Sequence, residues 1–328
     1  MLTPCACGSF RVTQLKGEEL NVKSIELEEN CGCQDDKAVM LDLQTGETTT
    51  ITPEHRHAGD GHHSHAHDHD HGKPHHHAHD DHAHHDHDPH RHSADQHVHS
   101  HHLDIVDVQA RILAKNDALA EKNRAWFAGR EILALNLVSS PGAGKTTLLE
   151  RTIRDLAGEW PLCVIEGDQA TANDGERIRR AGAAVVQVNT GTGCHLDAAM
   201  VTRALAALKP GAGAAVLIEN VGNLVCPALF DLGEWAKVVI FSVTDGEDKP
   251  LKYPHMFRAA GIVVLNKTDL LAHLDFSVAQ AIANIAKVNP GAPVLQVSAR
   301  TGEGLATWYD WLRSQFAAAR QSAFAPAL

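Results

Sequence analysis

The stretch Ser139-Ser-Pro-Gly-Ala-Gly-Lys-Thr-Thr147 decides how the chain folds. It follows an apolar run, residues 132–138, and precedes helix-forming residues, which is the strand, loop and helix order of a phosphate-binding P-loop. Glycines in such a loop turn backbone N–H groups toward a phosphate, the lysine reaches the β- and γ-phosphates, and the next hydroxyl binds Mg²⁺. The usual pattern opens with glycine, where this chain has Ser139, and a glycine-rich turn without a ligand is the alternative. The stretch therefore predicts a nucleoside triphosphate site.

Charge is distributed unevenly along the 328 residues. Residues 1–102 hold 18 acidic against 7 basic side chains, and residues 103–328 hold 23 against 22, which together give the net charge of −12. An acidic arm disfavours contact with a nucleic-acid backbone and favours cations. The sequence has neither a membrane-spanning apolar run nor a signal peptide, so we expect a cytoplasmic protein without nucleic-acid or membrane partners. Its seven cysteines are then expected to be thiols or metal ligands rather than disulfides.

The composition predicts three regions. Residues 1–54 form a small region with the cysteine pairs Cys5/Cys7 and Cys31/Cys33 and weakly alternating, strand-like segments. Residues 55–102 hold 22 of the 25 histidines and almost no large apolar side chains, so this tract is predicted to be disordered when it is free of metal. Residues 103–328 are predicted to form the nucleotide-binding domain.

Apolar runs alternate with helical segments through the third region. A helix is predicted first, over residues 103–129. Strands are predicted at residues 132–138, 161–165, 183–188, 214–219, 238–243, 262–265 and 294–297, and further helices at 146–156, 196–208, 278–288 and 305–318. Such alternation forms a mostly parallel sheet with helices on both faces, and its ligand lies at the carboxyl ends of the strands. The predicted fold is an α/β P-loop NTPase.

Two later segments indicate the base of the nucleotide. Asn266-Lys-Thr-Asp269 follows one predicted strand and Ser298-Ala-Arg300 follows the next. An aspartate carboxylate accepts from both N1–H and the exocyclic amine of guanine, two donors that adenine does not present together, and the Lys267 stem can cover the base. ATP would leave that carboxylate facing an acceptor, so GTP is predicted. A solvated turn is the alternative for residues 266–269 taken alone.

Two carboxylates at strand ends are predicted to face the phosphates. Asp168 is a candidate to hold Mg²⁺ through water or to orient the attacking water, and Glu219 with Gly222 occupies the place of a D-x-x-G switch that senses the γ-phosphate. Either carboxylate could instead cap its strand. We predict three catalytic residues, Lys145, Asp168 and Glu219. Nucleotide contacts are predicted for Gly142, Ala143, Gly144, Lys145, Thr146, Thr147, Gly222, Asn266, Lys267, Asp269, Ser298 and Ala299, with Mg²⁺ on Thr146.

A metal site is predicted from Cys194, His195 and Cys226. Cys194 and His195 are adjacent in a loop after the third strand of the domain, and Cys226 lies four residues past Gly222. Two thiolates and an imidazole at one end of a parallel sheet can converge on a Ni²⁺ or Zn²⁺ ion, and buried structural cysteines are the alternative. Because Cys226 is on the segment that senses the γ-phosphate, hydrolysis could change the coordination of the metal.

The histidine tract is predicted to bind several metal ions. Imidazole favours Ni²⁺, Cu²⁺ and Zn²⁺, and a flexible chain suits storage better than catalysis, although a solvated spacer is the alternative. Acid below about pH 6.5 should release the metal because binding requires neutral imidazole. The candidate ligands in the tract are His62, His63, His65, His67, His69, His71, His75, His76, His77 and His79.

These motifs, taken in order, closely resemble the hydrogenase nickel-incorporation GTPase family, HypB. The matching stretches are residues 114–124, 139–147, 166–174, 191–195, 219–227, 243–254 and 266–269. The resemblance implies a SIMIBI-type G domain that hydrolyses GTP, forms a homodimer on binding nucleotide or metal, and delivers nickel to the large-subunit precursor of [NiFe]-hydrogenase beside a HypA-type nickel accessory protein. It also implies that Ser139 is the family's own variant of the loop.

The N-terminus matches this family less well. Some members begin with a C-x-x-C-G-C motif that holds nickel tightly, whereas this chain has Leu2-Thr-Pro-Cys5-Ala-Cys7 and lacks the first cysteine. Cys5 and Cys7 remain candidate metal ligands, and Cys31 and Cys33 could supply the missing thiolates.

Three functions are compatible with these residues. The leading hypothesis is a nickel metallochaperone whose GTP hydrolysis gates metal transfer, with storage by the histidine tract. One alternative is primarily a nickel or zinc store with a regulatory GTPase. Another is a urease-type nickel accessory GTPase, which carries a Cys-Pro-His site, whereas no histidine follows Pro227 here. Turnover is expected to be slow because no arginine finger or catalytic glutamine is evident beside the switch.

Overall fold

The computed structural model describes residues 10–11, 26–27, 39–42, 48–50, 105–168, 173–191 and 193–323. The chain divides into one compact unit, Met1–Thr52 with Val106–Leu328, and a second unit, Pro53–Ile105. The candidate ligands in the histidine tract and the cysteines Cys5, Cys7, Cys31 and Cys33 lie outside the described residues.

Short strands and helices alternate in the described part of the chain. The strands are β1 (Phe10–Arg11), β2 (Glu26–Leu27), β3 (Val39–Asp42), β4 (Thr48–Thr50), β5 (Leu133–Ser139), β6 (Leu162–Asp168), β7 (Ala184–Asn189), β8 (Ala215–Glu219), β9 (Ala236–Ser242), β10 (Ala260–Asn266) and β11 (Val294–Gln296). The helices are α1 (Ile105–Ala128), α2 (Lys145–Asp155), α3 (Asn173–Ala181), α4 (Ala198–Leu208), α5 (Cys226–Leu229), α6 (Lys249–Lys252), α7 (Pro254–Arg258), α8 (Val278–Val288) and α9 (Leu305–Ala323), with a 3-10 helix at Thr268–His273.

A nine-stranded sheet carries the fold, in the order β11-β10-β9-β5-β8-β6-β7-β3-β4. The strands from β5 to β11 pair in parallel, and β5, which leads into the P-loop, lies between β8 and β9. Every residue of β5 is buried, as expected for a central parallel strand whose two faces are both covered. At one edge, β3 pairs antiparallel with β7, and β4 pairs antiparallel with β3. Strands β1 and β2 form a separate antiparallel pair.

Helices cover both faces of this sheet. On one face, Leu148 of α2, Ile178 of α3 and Trp308 of α9 pack on alternate residues of the strands. On the other face, α1 and α4 pack over one half of the sheet, while α7 and α8 pack over the other half. The predicted α/β fold with a mostly parallel sheet between two helical layers is therefore confirmed.

The predicted elements differ from the observed ones mainly at their ends. The predicted strands and helices of residues 103–318 are all present, with ends shifted by a few residues. Sequence reasoning missed α3, whose residues are mostly polar and include only Gly175 and Ile178 as buried positions. It also missed that the β3–β4 hairpin joins the main sheet rather than a separate N-terminal fold. Within the described residues, no helix has both the length and the apolar character that crossing a membrane requires.

Candidate nucleotide and metal site

The P-loop connects β5 to α2 through two glycines in the left-handed region. Gly142 has φ 74° and Gly144 has φ 98°, conformations that favour glycine. Gly144 also has a steric requirement, because a Cβ there would lie 2.5 Å from Asn266 Nδ2. These two residues let the backbone turn sharply before α2 begins at Lys145.

Lys145 is held at the base of this loop. Its Nζ donates to Ser139 Oγ at 3.0 Å, and the Ser139 hydroxyl in turn donates to the Ser140 carbonyl. Burial lowers the pKa of Lys145, although the carboxylates of Glu219 and Asp174 act in the opposite direction. The serine in the first position of the motif therefore supplies a hydrogen-bond partner for the lysine.

A cavity of about 430 Å³ lies over the P-loop, at the carboxyl ends of the central strands. Eight of the predicted site residues line it: Gly142, Gly144, Lys145, Thr146, Thr147, Asp168, Glu219 and Gly222. The walls also include Asp174 and Arg177, which sequence reasoning did not select. This cavity, the phosphate cavity, thus brings the P-loop and both predicted strand-end carboxylates together.

Two buried glutamates lie side by side beneath this cavity. Glu166 and Glu219 are register partners on β6 and β8, and each has one carboxylate oxygen without a hydrogen-bond partner in the described part of the chain. Burial raises the pKa of Glu219 to about 7, and burial together with the negative charge of Glu219 raises that of Glu166 to about 9. Thr146 Oγ1 donates to Glu219 Oε1 at 2.8 Å. A hydroxyl beside an unsatisfied carboxylate oxygen is a donor set that suits Mg²⁺.

Arg177 brings a positive charge to the cavity wall. Its guanidinium donates to Asp174 Oδ1 at 2.9 Å and to Glu150 Oε2 at 2.8 Å. The bond to Glu150 connects α3 to α2 next to the P-loop. The only sequence signal for this contact is the spacing of an aspartate three residues before an arginine, which is common on exposed helices.

A second cavity, of about 330 Å³, adjoins the first and shares Gly144 and Thr147 with it. Asn266, Lys267, Asp269 and Ala299 also line it. Ser298 Oγ donates to Asp269 Oδ1 at 2.6 Å, which fixes the orientation of the carboxylate. The predicted base-recognition residues therefore surround one space beside the P-loop, the base cavity.

Asn266 connects three loops of this site. Its Nδ2 donates to the Ala143 carbonyl at 2.9 Å, and its Oδ1 accepts from the Ala299 backbone N–H at 3.1 Å. Lys267 Nζ donates to the Gly142 carbonyl at 2.6 Å. The P-loop and the two loops at the base cavity are therefore linked through side chains.

Cys194, His195 and Cys226 converge at the same end of the sheet. Cys194 Sγ lies 2.8 Å from Cys226 Sγ and 3.6 Å from His195 Nδ1, and all three ligand atoms are within 4.8 Å of one another. Cys194 and His195 are buried and Cys226 is half-buried. Among the described residues this is the one cluster of three or more such side chains that could hold a metal ion.

The surroundings of His195 favour the neutral form of its imidazole. Its ring packs on Phe230 with centroids 3.9 Å apart, and burial lowers its pKa below 6.5, against the opposing charge of Asp197. A neutral imidazole is the form that binds metal. Two thiols and one neutral imidazole form a donor set suited to Ni²⁺ or Zn²⁺.

Comparison with known proteins identifies the family. The family described as CobW/HypB/UreG, nucleotide-binding domain, matches residues 133–296. The hydrogenase maturation factor HypB of Rhizobium leguminosarum bv. viciae is 58% identical over 218 residues, which are 66% of this chain and 72% of that protein. The chain belongs to the HypB family. The resemblance predicted from the motifs is therefore confirmed.

Other HypB proteins match the same region. The hydrogenase/urease maturation factor HypB of Helicobacter pylori (strain ATCC 700392 / 26695) is 37% identical over 211 residues, 63% of this chain and 86% of that protein. The crystal structure of HypB from Archaeoglobus fulgidus matches with a TM-score of 0.58 and 39% identity, covering 62% of this chain and 99% of that one. The structure of HypB from Helicobacter pylori in complex with nickel matches with a TM-score of 0.59 and 35% identity, covering 65% and 99%.

Proposed function

We propose that this protein is a GTP-hydrolysing metallochaperone that inserts nickel into the large-subunit precursor of a [NiFe]-hydrogenase. One observation carries the proposal: Cys226, which lies within 4.8 Å of the other two metal-ligand side chains, is only a few residues along the chain from Glu219 and Gly222 of the phosphate cavity. A segment shared by a nucleotide site and a metal site can make metal affinity depend on the bound nucleotide. Membership of the HypB family supports the same role.

The nucleotide chemistry is assigned to the two adjoining cavities. In this proposal Asp269, held by Ser298, accepts from guanine, and Lys145 leaves Ser139 to bind the β- and γ-phosphates. Thr146 and Glu219 would bind Mg²⁺. Asp168 would hold Mg²⁺ through water or orient the attacking water. The backbone at Gly222 senses the γ-phosphate.

The metal carried is proposed to be nickel, as cargo rather than as a resident cofactor. Thiolate and imidazole also bind zinc, so the donor set alone permits either ion. The match to a HypB structure in complex with nickel favours nickel. We also propose that residues 55–102 store nickel, and that the protein works as a nucleotide-dependent or metal-dependent homodimer with a HypA-type accessory protein.

A cytoplasmic setting is part of the proposal. Cys163, Cys194 and Cys226 form no disulfide bond. Thiols that bind and release a metal ion must stay reduced, and the cytoplasm keeps them so.

The test is the nickel affinity of the full chain in the presence of a non-hydrolysable GTP analogue and in the presence of GDP. We expect the two affinities to differ by about 5-fold or more, as is typical of coupled sites. The thiolate-to-nickel charge-transfer band reports cysteine ligands separately from imidazole ligands, and its nucleotide-dependent part reports the site at Cys194 and Cys226. Cys226→Ser is expected to abolish the nucleotide-dependent part of this band, whereas Cys163→Ala, a core thiol on β6, is expected to retain it. Equal affinities in the wild-type protein would contradict the gating.

A second candidate function is nickel delivery to urease. It is favoured by the relative that is named a hydrogenase/urease maturation factor. Expression in strains lacking their own accessory GTPases separates the two: restoration of hydrogenase activity supports the leading proposal, and restoration of urease alone would replace it.

A further inference from the structure

Asn220 lies between the nucleotide site and the metal site. It follows Glu219 directly, precedes Val221 and Gly222 of the phosphate cavity, and is almost fully buried, with 1% of its surface exposed. Its Oδ1 accepts two backbone bonds at 3.0 Å, one from Val221 N–H and one from Leu196 N–H. Leu196 immediately follows His195. One amide oxygen therefore joins the switch, residues 219–222, to the metal-binding loop, residues 194–196.

A chain of buried polar groups fixes the other side of this amide. Asn220 Nδ2 donates to Asn136 Oδ1 at 3.2 Å, and Asn136 Nδ2 donates to Glu234 Oε1 at 3.0 Å. The same glutamate oxygen accepts from Lys237 Nζ at 2.6 Å, and Lys237 also donates to the Phe230 carbonyl. Because Asn136 belongs to the central strand β5, this chain of hydrogen bonds holds Asn220 Nδ2 against the centre of the sheet, while Oδ1 contacts the segments at Val221 and Leu196.

The metal ligands need such a link because they lie on two separate segments. Cys226 continues from Gly222 along the chain, so a shift of the switch reaches it directly. Cys194 and His195 follow β7, and the described residues link their loop to the switch through side chains: the Cys194–Cys226 contact and the amides of Asn223 and Asn220. Asn223 Nδ2 donates to the Cys194 carbonyl, but at 3.4 Å and in a half-buried position. Asn220 makes the shorter and more deeply buried bond.

We propose that Asn220 is the positioning residue through which the state of the nucleotide is transmitted to Cys194 and His195. The inference rests on the proposed nucleotide-gated binding of nickel. When Val221 and Gly222 move toward the γ-phosphate, the Asn220 amide pivots about its Nδ2 bond to Asn136, and its oxygen follows Val221 N–H. Leu196 N–H is buried and would be left without an acceptor, which is unfavourable, so residues 194–196 follow. All three ligands of the metal then change position in step.

The experiment compares nickel binding with a GTP analogue and with GDP in three full-chain variants. Nickel alone is the probe, and the thiolate-to-nickel band is read against Cys226→Ser as the blank. Asn220→Ser, whose hydroxyl is too short to reach Leu196, is expected to bring the ratio of the two affinities to within about 2-fold of one. Asn220→Asp keeps an acceptor for both N–H groups, and in this buried position the acid is expected to be protonated, so that its hydroxyl donates to Asn136 Oδ1 as Nδ2 does; the wild-type ratio is then expected to be preserved.

The matched control is Asn123→Ala. Asn123 is also a buried asparagine, and it donates to the Ala198 and Leu232 carbonyls near the metal loop without touching the switch. We expect this variant to keep the wild-type ratio. The inference would be overturned if the ratio of nickel affinities fell to about one in Asn123→Ala or in Asn220→Asp. It would also be overturned if Asn220→Ser kept the wild-type ratio. If the wild-type ratio is one, the gating proposed above fails, and this inference fails with it.

A measurement on the wild-type protein covers the case in which Asn220→Ser does not fold. The inference predicts that the Leu196 amide hydrogen exchanges at different rates in the GTP-analogue and GDP complexes, because its acceptor moves with the switch. Equal exchange rates in the two complexes would overturn it. By thermodynamic reciprocity, nickel must also change the affinity for the GTP analogue relative to GDP by the same factor in the wild-type protein.

Discussion

Asp269 is the residue on which the proposed choice of guanine depends. Ser298 holds one of its oxygens at 2.6 Å within the base cavity. We expect Asp269→Asn to weaken GTP binding by about 100-fold, because the amide places an N–H donor against the donors of guanine. Xanthosine triphosphate, which has a carbonyl in place of the exocyclic amine, is expected to bind this variant better than GTP does. Competition binding with both nucleotides measures the effect, and unchanged GTP affinity would contradict the role of Asp269.

Arg177 is expected to stabilise charge that develops on the phosphates. It lines the phosphate cavity while paired with Asp174 and Glu150, so its positive charge is already in position. Arg177→Ala is expected to slow single-turnover GTP hydrolysis by about 100-fold and to change GDP affinity little, since the charge acts mainly in the transition state. The control is Arg180→Ala on the same helix, whose side chain is 73% exposed. An equal hydrolysis rate in both variants would exclude this role.

The P-loop motif does not predict every side-chain contact of its own residues, and Ser139 is an example. The sequence shows that serine replaces the usual glycine, and the family resemblance implies that the variant is normal. Its contact with Lys145 depends on the position of the lysine side chain in the loop, which no spacing rule specifies. Similarly, the contacts of Arg177 come from the packing of α3 on α2, which sequence reasoning did not predict.

The close packing of α1 on the loop before β9 depends on Gly233. Its φ is 86°, and a Cβ there would lie 2.4 Å from the Ala120 carbonyl and 2.7 Å from Arg124 N. Gly233→Ala is therefore expected to lower the free energy of unfolding by about 3 kcal/mol or more, from strain and overpacking together. Gly213→Ala also has positive φ, 71°, but meets no atom within 4 Å, so about 1 kcal/mol is expected. Denaturant unfolding compares the two variants, and equal losses would contradict the packing argument.

Helices α2 and α9 are joined by a carboxylate whose effect on stability depends on pH. Tyr309 OH and Arg151 Nε both donate to Asp155 Oδ2 at 2.8 Å, and these bonds outweigh burial, so the pKa of Asp155 lies below its usual 3.8. A depressed folded-state pKa stabilises the protein above the unfolded value, and this contribution is lost as pH falls through the folded value. Asp155→Asn is expected to lower the free energy of unfolding by about 1 kcal/mol at pH 7.

The pH dependence provides the check on Asp155. The difference between wild type and Asp155→Asn is expected to shrink as pH falls below 3.8. Asp310→Asn removes a carboxylate that is 75% exposed and paired with Arg313 on the same helix, and it should cost less than about 0.5 kcal/mol. A difference for Asp155→Asn that does not vary with pH would show that the carboxylate charge is not the cause.

At the scale of elements, the sequence was most informative where apolar runs are continuous. The strand β5 and the helix α8 were predicted to within a residue or two because their apolar spacing is regular. Helix α3 gave no such signal, since Ile178 is the one large apolar side chain that it buries. The pairing of β3 with β7 joins segments more than a hundred residues apart in the chain, which local patterns do not report.

For the whole molecule, deleting the histidine tract distinguishes the nickel ions that the tract binds from those bound by the G domain. Removing residues 55–102 is expected to lower the number of nickel ions bound per chain while leaving the rate of GTP hydrolysis unchanged, because the cavities and the cysteine site use residues from 141 onward. Metal analysis after dialysis and a phosphate-release assay measure the two quantities. Unchanged nickel content would contradict storage by the tract, and lost hydrolysis would show that the tract contributes to the GTPase.

The location of the whole site was predictable from topology alone. Loops that follow parallel strands meet at the carboxyl edge of the sheet, so the P-loop, Asp168, Glu219 and Cys194 were expected to lie at one end. The distances between the metal ligands were not predictable, because Cys226 begins the short helix α5, whose orientation depends on packing.

The side-chain bridges of Asn266 have a kinetic consequence for the whole molecule. Because Asn266 joins the P-loop to the loop at Ala299 by hydrogen bonds within the chain, most of the conformational entropy of ordering these loops is expected to be lost during folding rather than during binding. Nucleotide association is then expected to be limited by diffusion into an open site. Differences in affinity between GTP and GDP would accordingly lie in their dissociation rates, and so in how long each state of the metal site persists.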